Sequence, residues 1–465
     1  MSQSKWLVPT IILILLVVLL APIFITGYSQ AHQADLAMAD NRYQQASDAY
    51  ARAARFLFWR ADLWEKAGIA AGTNGNFTSA IEFLERASQH SEQGWVVLGY
   101  SYFKMNDFPS CLQAYQQGLT YYPSSASLYS GLALLHRTQK DWQAEQADLQ
   151  NQLSFDQNNA PAHYRLGLLL TVFDSEQALN QFTAASSLDP QFDPAMQTFR
   201  TALGVASTQA DEAQQLVTRG RALGLVNEWE LALVAFDHAV KSNAENAEAW
   251  AWLGEAQQQT GGDGSDALNQ AIAIDDQSAI IRALRALHWS RIGFYDRMAA
   301  EYALAARAEP NNPTWQAGMG DAYVKQGDLA AGLEAYKRAT EIAPNDPVYW
   351  RLLALLCAEH EVAIDEIGLP AAQKAVELAP KDVVNLDALG YLYYLSGRYA
   401  TAEETLKNAL TLEPRAFSVH IHLAMNYLAQ GNRSAANDEL IYVRDRDVSG
   451  ADGERAKELL SQYFP

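Results

Sequence analysis

The chain has 465 residues, of which 49% are hydrophobic, and its 34 Lys and Arg against 54 Asp and Glu give a formal net charge of −20. This apolar fraction is typical of globular proteins and excludes a wholly disordered or collagen-like chain. The acidic balance argues against nucleic acid as a partner, because phosphate contacts need clustered Lys and Arg. The two cysteines, Cys111 and Cys357, are too few for a four-ligand zinc site, and they are predicted to be buried thiols rather than a disulfide.

The first element in chain order is an uncharged apolar run of nineteen residues from Leu7 to Ile25. A helix of about 20 apolar residues crosses a bilayer core, so we expect residues 1–26 to form a transmembrane anchor. Lys5 precedes the run, whereas the first basic residue after it is Arg42. Because positive charge stays on the cytoplasmic side, we expect a cytoplasmic N-terminus and an exported remainder.

A cleaved signal peptide is the alternative interpretation of this segment. Ser29-Gln30-Ala31 offers a small-residue cleavage site, although signal-peptide cores usually run about 7–15 residues and this run is longer. Both interpretations export the rest of the chain across what we take to be a bacterial inner membrane. The repeats then lie on the periplasmic or extracellular side, or are secreted if the segment is cleaved.

Beyond residue 26 the sequence repeats with a period of 34. One clear unit contains Trp95, Leu98, Gly99 and Tyr102 in its first half and ends at Pro123. In the second half of the chain the position of that proline recurs at steps of 32, 34, 34, 36, 34 and 34 residues. The residues at this position are Ala244, Asp276, Pro310, Pro344, Pro380, Pro414 and Val448.

Each unit has the pattern of two amphipathic helices. Apolar and small residues recur at i, i+3, i+4 and i+7, which is typical of one buried helical face. A glycine such as Gly99 or Gly390 lets neighbouring helices approach closely. A second glycine, such as Gly327 or Gly397, is predicted to close the first helix in a left-handed turn. One unit cannot bury its apolar face alone, so the units are expected to stack on one another.

These units resemble the tetratricopeptide repeat, in which a Trp-x-x-Leu-Gly-x-x-Tyr helix precedes an Ala-x-x-x-Phe helix and a proline. The resemblance implies an all-α fold, an α-solenoid of about twelve helix-turn-helix repeats preceded by one transmembrane helix. The repeat phase predicts the following divisions: five repeats over 27–192, an interrupting helix or linker over 193–212, seven repeats over 213–450, and a capping helix over 451–465.

No motif in the sequence indicates catalysis. There is no P-loop, no GxSxG and no Rossmann glycine fingerprint, and His420 and His422 lie two residues apart, on different faces of one helix. The segment 261–268 matches the calcium repeat of parallel β-helices, but that motif makes a site only by stacking many copies. We therefore expect no enzymatic activity, no metal site and no cofactor.

The resemblance also implies where a partner would bind, since the first helices of tetratricopeptide arrays line a concave groove that holds peptide or protein segments. The predicted groove residues are Tyr100, Phe103, Lys104, Arg137, Arg221, Asp321, Lys325, Arg351, Asp387, Tyr391 and Tyr394. Further inward positions are Glu65, Ile69, Leu134, Glu255 and Met425. The Lys and Asn pair with which well-known relatives clamp a C-terminal carboxylate is missing, which favours a broader peptide or protein surface.

Together these observations predict a membrane-anchored, non-catalytic scaffold that binds protein or peptide partners. A secreted soluble adaptor is the alternative if the first segment is cleaved. A non-catalytic subunit of an envelope enzyme complex is a further alternative.

Overall fold

The computed structural model describes residues 7–464, and over that range the chain forms 26 α-helices and no β-strand. It is an all-α solenoid with helices enough for about thirteen two-helix repeats. The first eleven helices are α1 (Leu7–Ala39), α2 (Tyr43–Phe56), α3 (Asp62–Thr73), α4 (Phe77–Arg86), α5 (Glu92–Lys104), α6 (Phe108–Tyr121), α7 (Ala126–Gln139), α8 (Trp142–Phe155), α9 (Ala160–Phe173), α10 (Ser175–Leu188) and α11 (Asp193–Ser207).

The remaining helices continue the same alternation of a helix, a short turn and a second helix. They are α12 (Glu212–Leu225), α13 (Trp229–Ser242), α14 (Ala247–Gln259), α15 (Ser265–Ile274), α16 (Ala279–Arg291), α17 (Tyr295–Ala308), α18 (Pro313–Gln326), α19 (Leu329–Ile342), α20 (Pro347–Glu359), α21 (Leu369–Leu378), α22 (Val383–Leu395), α23 (Tyr399–Leu412), α24 (Phe417–Ala429), α25 (Arg433–Arg446) and α26 (Ala451–Tyr463).

The chain divides into two compact structural units, each of which contains several of the helix-turn-helix repeats. The N-terminal unit comprises Met1–Ala210 and Thr218–Ala235, and the C-terminal unit comprises Asp211–Val217 and Phe236–Pro465. Each unit has its own buried clusters, which are rich in alanine and leucine because helices of adjoining repeats approach closely.

Helix α1 passes through the predicted boundary at residue 26 without a break, although it contains Pro22. The predicted membrane segment, residues 7–25, occupies its first half, where most side chains before Ala21 lie outside the described residues. Among the residues that are described, no helix has the length and apolar character needed to cross a membrane. The second half of α1 packs against α2, and Ala34 and Ala37 are buried there.

The repeat glycines have the geometry that the sequence predicts. Gly327 and Gly397 end their helices at φ +84° and +75°, in the left-handed region that a side chain disfavours. At Gly99 an added Cβ would lie 2.4 Å from the ring of Tyr115. The absence of a side chain there is therefore what allows α5 and α6 to pack.

The second helix of many repeats begins at a polar N-cap. The side chains of Asp107, Asp141 and Asp328 each accept a hydrogen bond from the backbone N–H three residues later. Such a cap satisfies one of the backbone donors that a helix start leaves open, and it fixes where the second helix begins.

Both cysteines lie in separate cores, as predicted. Cys111 is buried in the N-terminal unit beside Tyr115, and Cys357 is buried in the C-terminal unit beside Leu369. Burial raises the pKa of the Cys111 thiol to about 12 and that of the Cys357 thiol to about 11. Both thiols are therefore neutral small hydrophobes at ordinary pH.

In the second half of the chain two repeats depart from 34 residues, and in both the connection between the first and second helices is unusual. In the shorter repeat the connection from α14 to the ten-residue α15 holds Gly261 and Gly264 at φ +90° and +72°. The calcium-like motif over 261–268 occupies this connection and the first turn of α15. In the longer repeat a π-helical segment, Ile364–Gly368, separates α20 from α21.

Candidate functional site

The C-terminal unit brings three predicted groove residues together on one helix. Asp387, Tyr391 and Tyr394 follow each other at i, i+4 and i+7 along α22, and this spacing places them on one face. Helix α22 contacts α24, the first helix of the next repeat, which contributes His422 and Met425. We call these five residues the α22–α24 surface.

Three aromatic rings of this surface form a continuous stack across the two helices. The Tyr391 ring lies 4.2 Å from the His422 ring at an interplanar angle of 12°, and 5.8 Å from the Tyr394 ring at 13°. All three side chains are half-buried. The rings are thus held by one another while part of each remains open to solvent.

Asp387 fixes the His422 end of the stack. Its Oδ1 lies 2.7 Å from His422 Nδ1, and the Asp387 residue is only 8% exposed. The Nδ1–H donates to the carboxylate, which sets the orientation of the imidazole beneath Tyr391. His422 was not among the predicted groove residues, although it follows Asp387 by 35 residues, about one repeat. The spacing of one repeat between Asp387 and His422 is the feature of the sequence from which this pair could have been predicted.

The rim of the α22–α24 surface is acidic. Burial raises the pKa of Tyr391, and the nearby carboxylate of Glu361 raises it further. Burial likewise raises the pKa of Asp452, which belongs to α26 and lies close enough to interact with His422 and Asp387. Arg455 on α26 adds a positive charge near Tyr391 and also pairs with Glu458. The carboxylates around the stack therefore outnumber this arginine.

Other predicted residues of the C-terminal unit bind their own chain. The Arg351 guanidinium lies 3.2 Å from Asp382 Oδ2 and donates to Asn385 Oδ1 at 3.1 Å, so it joins α20 to the start of α22. The carboxylate of Glu255 is buried and accepts from Arg291. These contacts are structural links between repeats.

Asp321 and Lys325 form an ion pair with each other on the surface of α18. Their charged atoms are 2.9 Å apart, and each side chain is about two-fifths exposed. Lys325 also donates to Ser290 Oγ at 3.3 Å. Arg221 is exposed on α12. Asp321 and Lys325 thus bind each other and a residue of α16.

In the N-terminal unit, Tyr100 and Phe103 stack on α5 with ring centroids 6.2 Å apart, and Lys104 follows them as an exposed residue. Leu134, one repeat on, is 38% exposed. Ile69, by contrast, packs in the core and is 8% exposed.

Glu65, another predicted inward residue, forms hydrogen bonds with the N-cap residue of α5. Its carboxylate accepts from the backbone N–H of Ser91 at 2.5 Å and from the Ser91 hydroxyl at 2.6 Å. Ser91 is the N-cap of α5, so these bonds join α3 to the start of α5.

Arg137 belongs to an ion-pair cluster around Arg165, which was not among the predicted groove residues. Arg165 on α9 donates to both oxygens of Glu145 at 2.5 and 2.9 Å and to Glu228 at 3.0 Å. Arg137 lies 3.4 Å from the same Glu228. Glu228 precedes α13, so residues 91 positions apart in sequence meet here. We call Arg137, Glu145, Arg165 and Glu228 the Arg165 cluster.

Comparison with known families agrees with this architecture. Models of the tetratricopeptide repeat match residues 96–153, 297–356 and 386–415. The chain thus contains tetratricopeptide repeats over these residues. Proteins built of these repeats are typically non-catalytic scaffolds for protein–protein interaction.

Curated relatives match only in part. The chain is 23% identical over 292 residues to Superkiller complex protein 3 of Homo sapiens, covering 57% of this chain and 17% of that protein. It is 32% identical over 116 residues to small glutamine-rich tetratricopeptide repeat-containing protein 2 of Mycosarcoma maydis, covering 24% of this chain and 32% of that protein. The chain therefore spans less than a third of the length of either relative.

Solved structures of similar kind include the APC/C hetero-tetramer Cut9-Hcn1 and yeast Tom70. The first aligns with a TM-score of 0.40 at 14% identity, covering 94% of this chain and 96% of that chain. The second aligns with a TM-score of 0.42 at 12% identity, covering 94% and 95%.

Proposed function

We propose that this protein is a membrane-anchored scaffold that binds a protein or peptide segment on the α22–α24 surface. The observation that carries the proposal is the half-exposed stack of Tyr394, Tyr391 and His422 on adjoining first helices. Aromatic side chains that are already held in place bury a large area on binding and lose little conformational entropy. A partner that covers the stack would gain most of its affinity there.

The acidic rim indicates the chemistry of the partner. Glu361 and Asp452 favour a segment that carries Lys or Arg, since complementary charge speeds association and excludes acidic competitors. The face of a tyrosine ring also attracts a cation that lies over it. We therefore propose a basic segment with neighbouring apolar residues as the ligand.

Membrane attachment through residues 7–25 is the second part of the proposal. We place the N-terminus in the cytoplasm and the repeats on the outer side. The support is the uncharged run from Leu7 to Ile25 together with a helix, α1, that continues from this run into the first repeat. Attachment would confine the scaffold to two dimensions and so raise its effective concentration near membrane-bound partners.

Binding is tested by a photo-crosslinking residue at Met425, one turn from His422 on α24, in native membranes. We expect the Tyr391→Ala/Tyr394→Ala variant to lose at least about tenfold in crosslinked partner, because interface tyrosines are typical hot spots. Tyr121→Ala, which removes an exposed tyrosine outside the predicted groove, is the control and should keep the crosslink. Equal crosslinking by both variants, with unchanged circular dichroism, would overturn the proposed binding surface.

Partner charge is tested separately with two fluorescent peptides that share apolar residues and differ in Lys and Arg against Glu. Fluorescence polarisation should show tighter binding of the basic peptide, with the preference weakening as salt is raised. A preference for the acidic peptide would contradict the proposed ligand chemistry.

Attachment is tested by membrane fractionation and intact mass. A full-length mass that stays with carbonate-washed membranes is the expected result. A soluble product that starts at or near Ala31 would instead identify the protein as a secreted adaptor.

A further inference from the structure

Six large apolar side chains are exposed around the contact of α1 with the turn between α2 and α3. Their exposed fractions range from 37% at Phe24 to 82% at Phe58. We call this group the Trp59 patch, and its members are Phe24, Ile25, Tyr28, Phe56, Phe58 and Trp59. An exposed apolar group of this size on a soluble surface marks a contact with a partner or a membrane.

The patch is held in place by packing rather than carried on a loose loop. The Trp59 ring lies 5.0 Å from the Phe24 ring and 5.1 Å from the Phe58 ring. Between them Leu57 is fully buried, and a Cβ added at Gly27 would lie 2.6 Å from Leu57 Cγ. The turn is thus seated on α1 where that helix has no side chain.

The packing of the α2–α3 turn against α1 fixes its position along that helix, relative to the apolar run over residues 7–25. Phe24 is the penultimate residue of the uncharged run over residues 7–25. One residue of helix rises about 1.5 Å, so Phe24 lies within a few ångströms of the end of the run. Because Trp59 contacts Phe24, it must lie at the same level along α1.

The local charge also differs from that of the whole chain. Residues 49–61 contain Arg52, Arg55 and Arg60 and no acidic residue, in a chain of net charge −20. Arg52 and Arg55 are exposed, whereas Arg60, which lies near Tyr28, donates to both carboxylate oxygens of Asp62 at 2.7 Å. The unbalanced positive charge of the patch is therefore that of Arg52 and Arg55. Arginines beside aromatic rings suit a surface of phosphate headgroups over acyl chains.

We infer that the Trp59 patch lies in the headgroup region of the bilayer, so that the first repeat rests on the membrane surface. The inference rests on the proposed membrane anchoring and deepens it by assigning lipid as the ligand of the patch. Trp and Tyr concentrate at this depth in membrane proteins because their rings are apolar and their N–H or O–H groups remain hydrated. The patch lies beside the end of the apolar run, and we therefore propose that it contacts lipid rather than a second copy of the chain.

The inference is tested by labelling single added cysteines in the full chain with an environment-sensitive fluorophore. The native Cys111 and Cys357 are buried, so an added surface cysteine is labelled selectively. A label at Phe58→Cys reports whether the Trp59 patch contacts lipid, and a label at Ile25→Cys reports whether the end of the apolar run does. Tyr121→Cys is the matched control, since Tyr121 is an aromatic residue of the same unit and is 72% exposed.

Labelled protein is reconstituted in phosphatidylcholine and phosphatidylglycerol vesicles that contain a lipid spin-labelled near the headgroup. We expect quenching several-fold stronger at positions 58 and 25 than at position 121, with emission shifted to the blue at both. Quenching at position 25 but not at position 58 would overturn the inference and leave the anchoring intact. Quenching at neither position would overturn both.

A second copy of the chain is the competing occupant, and the same variant distinguishes it. Oxidative crosslinking between two Phe58→Cys chains in the bilayer, without lipid quenching at position 58, would assign the patch to self-association. Replacing Phe58 and Trp59 by Ser should reduce the emission shift of a label at Ile25→Cys, whereas Tyr121→Ser should leave it unchanged. An equal effect of the two changes would contradict the membrane contact.

Discussion

The two units use the polar and aromatic side chains of their first helices in different ways. In the N-terminal unit the Arg165 cluster pairs Arg137 and Arg165 with carboxylates of the same chain. In the C-terminal unit the α22–α24 surface buries its charge, Asp387, beneath an aromatic stack that stays half exposed. A charged groove residue is therefore a poor guide to a binding surface when a distant carboxylate of the same chain already pairs with it.

The largest expected effect comes from breaking the Arg165 cluster. Arg165→Met leaves Glu145, which is 1% exposed, as a buried charge without its bidentate partner. Removing one member of a buried pair typically costs about 3–5 kcal/mol. Hydrogen exchange in α8 and α9 should accelerate accordingly. Arg338→Met, which opens an exposed pair with Glu341, is the matched control and should change exchange little.

A second substitution shows whether Arg165→Met destabilises the protein by leaving Glu145 unpaired or by changing the side-chain packing around position 165. Glu145→Leu combined with Arg165→Met removes both charges, and well-packed apolar replacements of buried pairs are often neutral. We expect the double variant to recover most of the protection. If it were no better than Arg165→Met alone, the destabilisation would come from side-chain volume and not from the orphaned carboxylate.

A smaller effect is expected in the C-terminal unit when His422 is replaced by Phe. The ring that stacks on Tyr391 is kept, but Asp387 loses the donor 2.7 Å from its Oδ1. An unsatisfied buried acceptor costs about 1–3 kcal/mol. Urea unfolding followed by hydrogen exchange in α22 and α24 measures this. The Asp387→Leu/His422→Phe pair should be less destabilised than the sum of its single variants; simple additivity would show that the bond contributes nothing.

The buried cysteines allow the stability of the two units to be compared directly. Each unit contains one buried thiol, and burial raises the pKa to about 12 at Cys111 and about 11 at Cys357. Both should resist a thiol reagent at about pH 8, because neither forms thiolate there and neither is exposed. Mass spectrometry at increasing urea then shows which cysteine reacts first. Fast labelling of either one without urea would contradict its place in a closed core.

The smallest effect is expected at the Asp321–Lys325 pair. Both side chains are exposed and lie at i, i+4 on α18. Lys325→Ala should cost about 0.3–0.5 kcal/mol, and less at high salt. A loss above about 2 kcal/mol would mean that Lys325 has a structural role comparable with that of the Arg165 cluster.

The sequence predicted the parts of the structure that follow from local period. The left-handed turns at Gly327 and Gly397 and the close packing at Gly99 follow from spacing alone, since each repeat imposes the same steric demand. The burial of Ile69 did not follow from the repeat pattern, because the period assigns a helix face only approximately. Arg165 and Glu228 could not be paired from the sequence, because 63 residues separate them and no periodic signal connects them.

In the second half of the chain, the two repeats of unusual length show where this architecture accepts insertions and deletions. The connections at Gly261–Gly264 and at Ile364–Gly368 take up the changed length, while α16 and α22 still begin a new repeat in phase. Residues 261–263 are exposed. A short epitope inserted there would extend outward without shifting the helices on either side. Its accessibility to antibody in spheroplasts, before and after they are lysed, would then report on which side of the inner membrane the C-terminal unit lies.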